Sequence, residues 1–415
     1  MKRLLTILWL ASPLLAVRIP AGTELSVRLT DRVSTEAANT GAAATGAAVH
    51  AVLIAPVMLG GAIAIAPGAT LTGKVKQARA ASSPAADNPD APKTAALLEL
   101  SFTSLQDGAA NATIVTLVAG LDNARESVDE KGVINGIAPD STLSAEIDSG
   151  ISKLEANPKL AGLATLIQGA KQALKIEDAN PNIDYEPGVE LTLRVTQPFV
   201  WRGNSVGPVG KLQPIPNQDA LPALVNRQPY RTVAQKPPNP SDITNILFIG
   251  TDEEIKAAFM KAGWSTAARL STQSKLETAR ALIEARGYNE GPMSILLLDG
   301  RPPDMAWQKG NNTFAKRHHL RIFRRPDTFN GKPVWVCSST HDTGIDYSKR
   351  DHTFIHRVDS QIDRERAKVV DDLLFTGLVR GLAVVERPDV PTQITNATGD
   401  SLTTDGRMAV ILLGQ

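Results

Sequence analysis

The sequence predicts a multidomain chain: an N-terminal all-β barrel or sandwich with a helical insertion, then a C-terminal α/β or α+β sandwich. Alternating polar and apolar residues dominate the N-terminal part, helical spacing interrupts it, and mixed patterns follow a proline-rich stretch. The length of 415 residues leaves room for two or three domains. The apolar fraction of 42% is near the globular norm, and a net charge of +1 gives no reason to expect nucleic-acid binding.

The first residues predict a signal peptide over residues 1–17. A basic start at residues 1–3 precedes an uncharged apolar run over residues 4–15, and the small residue Ala16 follows. The run is too short to cross a membrane comfortably as a helix. We therefore expect an exported, bacterial-type protein, periplasmic or secreted, and leave peripheral membrane contact open.

Residues 18–205 predict a β-domain. Polar and apolar residues alternate over residues 24–29, 70–75 and 97–102, as they do in strands with one buried face. The first pattern has an echo, because Gly22–Thr30 recurs in character as Gly188–Thr196. We interpret the echo as a strand that returns to the same domain after an insertion.

The predicted insertion, at about residues 124–180, is helical. Leucine and isoleucine recur at helical spacing over residues 143–154 and again over residues 163–174. Two such segments in succession predict a helical hairpin that packs on the barrel or on a partner. An amphipathic helix of this kind is more often part of a core than a binding device.

Prolines crowd residues 206–241, which predicts a stiff and extended linker because proline at that density resists regular secondary structure. Beyond it, residues 242–415 mix strand patterns with helix patterns at residues 252–262, 273–285 and 362–378. The C-terminal domain is therefore predicted to be α/β or α+β.

Histidine is concentrated in one part of this domain. Five of the six histidines are His318, His319, His341, His352 and His356. Histidine titrates near neutral pH and is the commonest protein ligand of metals. The concentration predicts where a functional site lies without fixing its chemistry.

One interpretation is a metal site. His352 and His356 are four residues apart, so they share a face on either a helix or a strand. His341 and Asp359 can supply further ligands. Imidazole together with carboxylate suits a divalent ion such as zinc or manganese.

A second interpretation is phosphate chemistry without a metal, in which arginines clamp a phosphate and a histidine acts as an acid or nucleophile. The arginines available for this are Arg317, Arg321, Arg350 and Arg357. The candidate catalytic residues are His318, His319, Arg321, Asp363 and Arg364. Adjacent residues of a strand point to opposite faces, so only one of His318 and His319 is expected to join the site.

Two further alternatives remain open. The clustered groups can instead form a buried polar network that ties a strand to a helix through Asp359 and Asp363. Gly203–Gly207 also fits the G-x-S-x-G pattern of serine hydrolases, with Ser205 as the nucleophile. That pattern needs a helix after the serine, but prolines follow here. The single cysteine, Cys337, lies in an apolar run and is expected to be a buried structural thiol.

Several motifs follow one another in the C-terminal region: Asn245–Gly250, Ala262–Trp264, Gly300–Asp304, Arg317–Arg321, His352–Asp359, Ile362–Arg366 and Thr404–Arg407. With these motifs, residues 242–415 resemble the LssY C-terminal domain family. In other members this domain is often joined to membrane segments similar to DedA proteins and type-2 phosphatidic-acid phosphatases, and here we expect the exported β-domain in their place. The resemblance implies a fold module rather than a particular reaction.

We therefore expect an exported, envelope-associated protein whose C-terminal domain forms a metal or phosphate site, with hydrolase activity as the first reaction to test. The N-terminal region is loosely similar to β-domains of exported bacterial proteins. One alternative is a non-catalytic envelope binding or assembly protein, and another is a serine esterase that uses Ser205. The expected partner is a small molecule or an envelope component.

Overall fold

The computed structural model describes residues 16–36, 45–60, 62–82, 93–157, 161–203, 212–267, 277, 280–281, 283–284, 293–309, 316–348 and 353–414, except for the side chains of residues 344–348 and 353–356. Strands predominate in this part of the chain, and the N-terminal sheet is nearly closed into a barrel. The predicted N-terminal β-barrel is confirmed in this form.

The N-terminal strands pair in antiparallel fashion throughout. They are β1 Val17–Ile19, β2 Glu24–Leu29, β3 Val33–Ser34, β4 Ala48–Leu53, β5 Val57–Leu59, β6 Ala62–Ile65, β7 Thr70–Arg79, β8 Leu97–Asp107, β9 Ala110–Thr113, β10 Thr116–Leu121, β11 Ser127–Val128, β12 Val133–Asn135, β13 Asp184–Tyr185, β14 Glu190–Val195 and β15 Phe199–Trp201.

The main N-terminal sheet has the order β10-β14-β2-β4-β7-β8-β12-β11, and β9 also pairs with β8. A hydrogen bond of 3.0 Å from Ile114 N to Thr103 O brings the approach to β10 against β8, so the sheet curls back on itself. The alternation in β2 buries Leu25, Val27 and Leu29 inside the barrel.

The insertion is helical, as the periodicity predicts. α1 spans Leu143–Glu155 and α2 spans Ala161–Ala173. Thr142 caps α1, since its side chain accepts a hydrogen bond from Ala145 N at 3.1 Å. After the insertion, β14 returns and pairs directly with β2, which confirms the interpretation of the repeated pattern.

The stretch predicted as a linker, residues 206–241, differs from that expectation where it is described. It contains a 3₁₀ helix Gln218–Ala220, α3 Leu221–Asn226, β16 Arg231–Ala234 and the start of β17 Pro240–Ile243. Leu221, Leu224 and Val225 are buried against the C-terminal sheet. Proline is tolerated in the first turn of a helix, where Pro222 lies. Burial of the apolar residues between the prolines therefore outweighs the preference for an extended chain.

The remaining elements are β18 Ile246–Ile249, α4 Asp252–Lys261, β19 Trp264–Thr266, β20 Leu296–Leu297, β21 Met305–Lys309, β22 Arg317–Phe329, β23 Lys332–Ser348, β24 Thr353–Val358, α5 Ile362–Phe375, β25 Val379–Glu386, β26 Gln393–Thr395, β27 Ser401–Thr403 and β28 Arg407–Leu413. The large sheet has the order β19-β21-β22-β23-β18-β28-β25, and β24 also pairs with β23. The β18–β28 pair is parallel and its other pairs are antiparallel.

Helices cover both faces of this sheet. On one face, which we call the α5 face, Phe259 of α4 and Val369 of α5 pack with Leu320 and Cys337. On the other, the α3 face, Leu224 packs among the neighbouring strand residues. Cys337 is fully buried, as predicted for a structural thiol.

Several expectations fall outside the described residues. These include residues 1–15 of the expected signal peptide, most of the predicted helix at 273–285, and Ser205. Among the described helices, none has the length and apolar character needed to cross a membrane.

Candidate functional site

The strand β22 sends its two adjacent histidines to opposite faces of the large sheet, because side chains alternate along a strand. On the α5 face, His318 Nδ1 lies 2.7 Å from Glu365 Oε2. On the α3 face, His319 Nε2 lies 2.9 Å from Asp342 Oδ1. The prediction that the two histidines split between faces is confirmed.

His318, His341 and Glu365 form one group, which we call the His318 cluster. β22 and β23 pair so that His318 stands opposite His341, and their rings stack with centroids 4.1 Å apart. Glu365 reaches them from the first turn of α5. Each residue offers one potential ligand atom, and these three atoms lie within 4.8 Å of one another.

Helix periodicity explains why Glu365 points inward. It is three residues after Ile362 and four before Val369, and both of these apolar side chains are buried. Residues at this spacing share one face of a helix. Glu365 therefore stands on the buried face and is only 3% exposed, although its type is usually found at the surface.

Burial makes the neutral forms of this cluster favourable. Desolvation lowers the pKa of His318 and of His341 to about 4, because an imidazolium ion loses its hydration in the interior. Desolvation also raises the pKa of the Glu365 carboxyl to about 8. The two imidazoles are therefore neutral at pH 7, which is the form that binds metals.

Two atoms of the cluster have unused hydrogen-bonding capacity. His341 Nε2 and Glu365 Oε1 are buried, and neither has a hydrogen-bond partner among the described residues. Buried polar atoms are nearly always hydrogen-bonded, so each exception calls for an explanation. A bound ion is one explanation that accounts for both atoms together.

The stacking sets a condition on metal binding. A coordinating lone pair lies in the plane of its imidazole ring, and the two planes here differ by only 11°. Lone pairs that lie in two nearly parallel planes, with ring centroids 4.1 Å apart, cannot point at one ion, so one ring has to turn about its Cβ–Cγ bond. His341 is half-buried whereas His318 is only 4% exposed, so His341 has more freedom to turn. Ligand atoms in a tetrahedral zinc site are about 3.4 Å apart, so the three atoms also have to move closer together.

The group on the α3 face is built differently, and we call it the His319 cluster. It contains His319, Asp342, Arg317, Arg321 and Asp242. Asp342 lies between His319 and Arg317, whose Nε is 3.5 Å from Asp342 Oδ2. Arg321 Nη1 lies 3.6 Å from Asp242 Oδ2. In this cluster, buried cations and buried carboxylates face one another.

That pairing weakens the phosphate interpretation. Arg317 and Arg321 are buried beside carboxylates, and Arg321 also donates two hydrogen bonds to Ser294 O at 3.0 and 3.2 Å. Arg357 is exposed and Arg350 lies outside the described residues. The four arginines are therefore not gathered around one cavity in the part of the chain that the structure describes.

Other predicted residues have different neighbours. Asp359 adjoins the His318 cluster, since its backbone N donates to His341 O at 2.8 Å, while its carboxylate accepts from Gln361 N at 2.8 Å. Asp363 accepts hydrogen bonds from Thr404 and Asp405. The Arg364 side chain is 77% exposed. Asp363 and Arg364 therefore lie apart from the His318 cluster.

The side chains of the predicted pair His352 and His356 lie outside the described residues. His352 lies outside the described residues, and His356 belongs to β24, opposite Ile345, but its side chain is outside the description. Their shared metal site stays a prediction.

The region that carries both clusters also matches a known family. Residues 225–408 match the family model of the LssY C-terminus. This confirms the resemblance seen in the motifs, and the match begins within α3 and includes His318, His341 and Glu365. A search of curated proteins finds no match to the chain. We call residues 225–408 the LssY C-terminal region.

Glu365 is the site residue that sequence reasoning missed. A signal for it exists in the LssY C-terminal region, because Glu365 occupies a position of the apolar stripe of α5, between Ile362 and Val369. A charged residue on the buried stripe of a helix needs a partner inside the protein. That rule would have added Glu365 to the candidate ligands.

Proposed function

We propose that this chain is an exported protein whose LssY C-terminal region binds a divalent transition-metal ion through the His318 cluster. The observation that carries the proposal is the convergence of two neutral imidazoles and one carboxyl group, with His341 Nε2 and Glu365 Oε1 buried and without hydrogen-bond partners among the described residues. Zinc and manganese both accept two imidazoles and a carboxylate.

The donor set favours a reactive rather than a purely structural ion. Structural zinc sites usually have four protein ligands and are rich in cysteine, whereas catalytic sites hold three protein ligands and keep a position for water. The His318 cluster supplies three ligands and no thiolate. A water molecule in the fourth position would lose a proton near neutral pH and attack an ester or phosphoester. We therefore propose hydrolysis as the reaction.

Export is proposed from the sequence of residues 1–17, with its basic start and short apolar run. A periplasmic or secreted location follows. Amino-terminal sequencing of the mature protein from a bacterial host tests this part, because retention of residues 1–15 in the cytoplasm contradicts it.

One observation favours a non-catalytic partner-binding role for the insertion. α2 exposes Leu163 and Leu166, and Leu166 is 72% exposed. Apolar side chains of this size at one surface are typical of contact sites when they are contiguous. This role is compatible with a metal site in the other region.

The metal proposal is tested by the metal content of the purified full chain after chelation and reloading. We expect one equivalent of zinc or manganese, which is lost in His318→Gln and in His341→Gln. The matched control is His319→Gln, which changes the same residue type at the next position, with similar burial, on the α3 face. This control should keep its metal.

A chain that takes up no metal contradicts the proposal, and so does equal loss in the His318 and His319 variants. Hydrolysis is measured with p-nitrophenyl phosphate and p-nitrophenyl acetate, with and without metal. Activity that depends on metal and on His341 supports the hydrolase. Activity that survives chelation but disappears in Ser205→Ala supports the serine esterase instead.

A further inference from the structure

A buried group of charges lies between the N-terminal barrel and the LssY C-terminal region. It consists of Arg28, Glu190, Lys309, Lys368 and Asp372, and we call it the junction cluster. The first two residues belong to the barrel strands β2 and β14, and the other three to β21 and α5. The side chains of Glu190, Lys309 and Asp372 are no more than 2% exposed.

Glu190 bridges two elements of the other region. Its Oε1 atom lies 3.3 Å from Lys309 Nζ on β21, and its Oε2 atom lies 2.7 Å from Lys368 Nζ on α5. Arg28 fixes the carboxylate from the barrel side, with Nη2 2.8 Å from Oε1. A single carboxylate of the barrel therefore ties a strand of the LssY C-terminal region to its helix.

The large sheet and α5, which this bridge joins, also carry the His318 cluster. Lys368 follows Glu365 by one turn of α5, so the two side chains lie on the same side of the helix. Lys309 follows Gln308, which pairs with His319 in the neighbouring strand β22. The bridge through Glu190 therefore joins α5, which carries Glu365, to β21, the strand next to the one that carries His318.

We propose that Glu190 of the barrel is a positioning residue for the metal site of the other region, an inference that rests on the proposed function. Three cations and two carboxylates meet in the junction cluster. Without the Glu190 carboxylate, the junction cluster holds three cations and one carboxylate, and unpaired buried charge is costly. The lysines then have to move towards water, and Lys368 takes α5 with it.

Asp372 also contacts both lysines, with Oδ2 2.7 Å from Lys309 and Oδ1 2.8 Å from Lys368. It belongs to α5 itself, so it travels with the helix, and its contact with the barrel is the longer one, with Oδ1 3.7 Å from Arg28 Nη2. Glu190 is the barrel residue that contacts both lysines, whereas Arg28 is the barrel residue that contacts Asp372.

The test measures zinc affinity of the full chain by competition with a chromophoric chelator. Glu190→Gln keeps the size of the side chain and removes its charge, and we expect a 10–100-fold loss of affinity, as for other residues that act behind the ligands. Cobalt(II) loaded in place of zinc should show a changed visible spectrum, because the ligand geometry changes.

The matched control is Glu126→Gln. Glu126 is another buried glutamate of the barrel, but it is bound to Arg125 and Tyr185 rather than to the junction. This variant should lose thermal stability and keep both zinc affinity and the cobalt spectrum. Wild-type affinity in Glu190→Gln overturns the inference, as does an equal loss of affinity in Glu126→Gln.

A second variant covers the case in which Glu190→Gln does not fold. The double variant Arg28→Met/Glu190→Gln removes one charge of each sign and leaves the net charge of the cluster unchanged. We expect it to fold and still to bind zinc weakly, because the bridge is missing. Wild-type affinity in the double variant overturns the inference. Zinc binding by the wild type decides the proposed function separately, since that measurement does not involve Glu190.

Discussion

The His318 and His319 clusters contain similar residue types on the two faces of one sheet, but the charge states of their side chains differ. On the α3 face, His319, Arg317 and Arg321 have carboxylates beside them. On the α5 face, desolvation raises the pKa of the Glu365 carboxyl to about 8, so this group is mostly protonated at neutral pH. Desolvation also keeps the imidazoles of His318 and His341 neutral. The His319 cluster therefore contains paired charges, and the His318 cluster consists of neutral groups.

The difference between the two clusters shows which features separate a structural network of charges from a ligand site. A network of paired charges mainly stabilises the fold. Both clusters contain buried atoms without a hydrogen-bond partner among the described residues, but these atoms differ in type. Arg321 Nη1 belongs to a guanidinium, which has no lone pair for a metal, whereas His341 Nε2 and Glu365 Oε1 are atoms that bind ions. Concentration of histidines along a sequence does not distinguish these two cases.

Asp342→Ala should have the largest effect on stability. It removes the buried carboxylate that lies beside His319 and Arg317. Breaking a buried ion pair in this way costs about 3–5 kcal/mol. The free energy of unfolding, measured by urea denaturation at pH 7, should fall by that amount.

The matched change on the α5 face is Glu365→Gln, which replaces an already neutral group with a neutral amide. It should cost less than about 1.5 kcal/mol of stability, the worth of one ordinary hydrogen bond, while abolishing metal binding. If both variants lose stability equally, the contrast between a paired and a neutral cluster is wrong.

Much of this arrangement follows from the sequence. Alternation placed His318 and His319 on opposite faces, periodicity placed α1, α2 and α5 close to their observed bounds, and repetition placed β14 with β2. These features are local, or repeat a local pattern, so a single stretch of sequence contains the information.

The rest depends on contacts between distant segments. His318 meets His341 only because β22 and β23 pair in one register, and Glu365 joins them only because α5 packs across that pair. No spacing rule connects these three positions. The predicted linker failed for a related reason, since Leu221 and Leu224 gain a buried environment only once the large sheet exists.

Asp371→Asn should remove a pH dependence of the free energy of unfolding that comes from α5. Desolvation, followed by repulsion from Asp372, raises the pKa of Asp371 to about 7 from 3.8. The folded chain therefore holds a proton that the unfolded chain releases between pH 4 and 7. The stability contributed by this group is fully present below pH 4 and is lost as the pH rises through 7.

Asp371 is half-buried, so water reduces the effect to about 2 kcal/mol. Asparagine is neutral at every pH, so Asp371→Asn should match the wild type at pH 4 and exceed its stability by about 2 kcal/mol at pH 8. Urea denaturation at both pH values measures this. A variant that tracks the wild type across the range contradicts the raised pKa.

Thr251→Ala should have the smallest effect on stability. It tests whether a helix that covers the α5 face without supplying a ligand affects metal binding. Thr251 caps α4 in a reciprocal arrangement with Glu254, and α4 covers the same face as α5 without supplying a ligand. Loss of such a cap costs about 1 kcal/mol. Zinc affinity should stay unchanged, because β22, β23 and α5 carry the His318 cluster. A fall in zinc affinity in this variant would show that the His318 cluster depends on the packing of the whole α5 face. The difference between the two clusters could then not be assigned to their own residues.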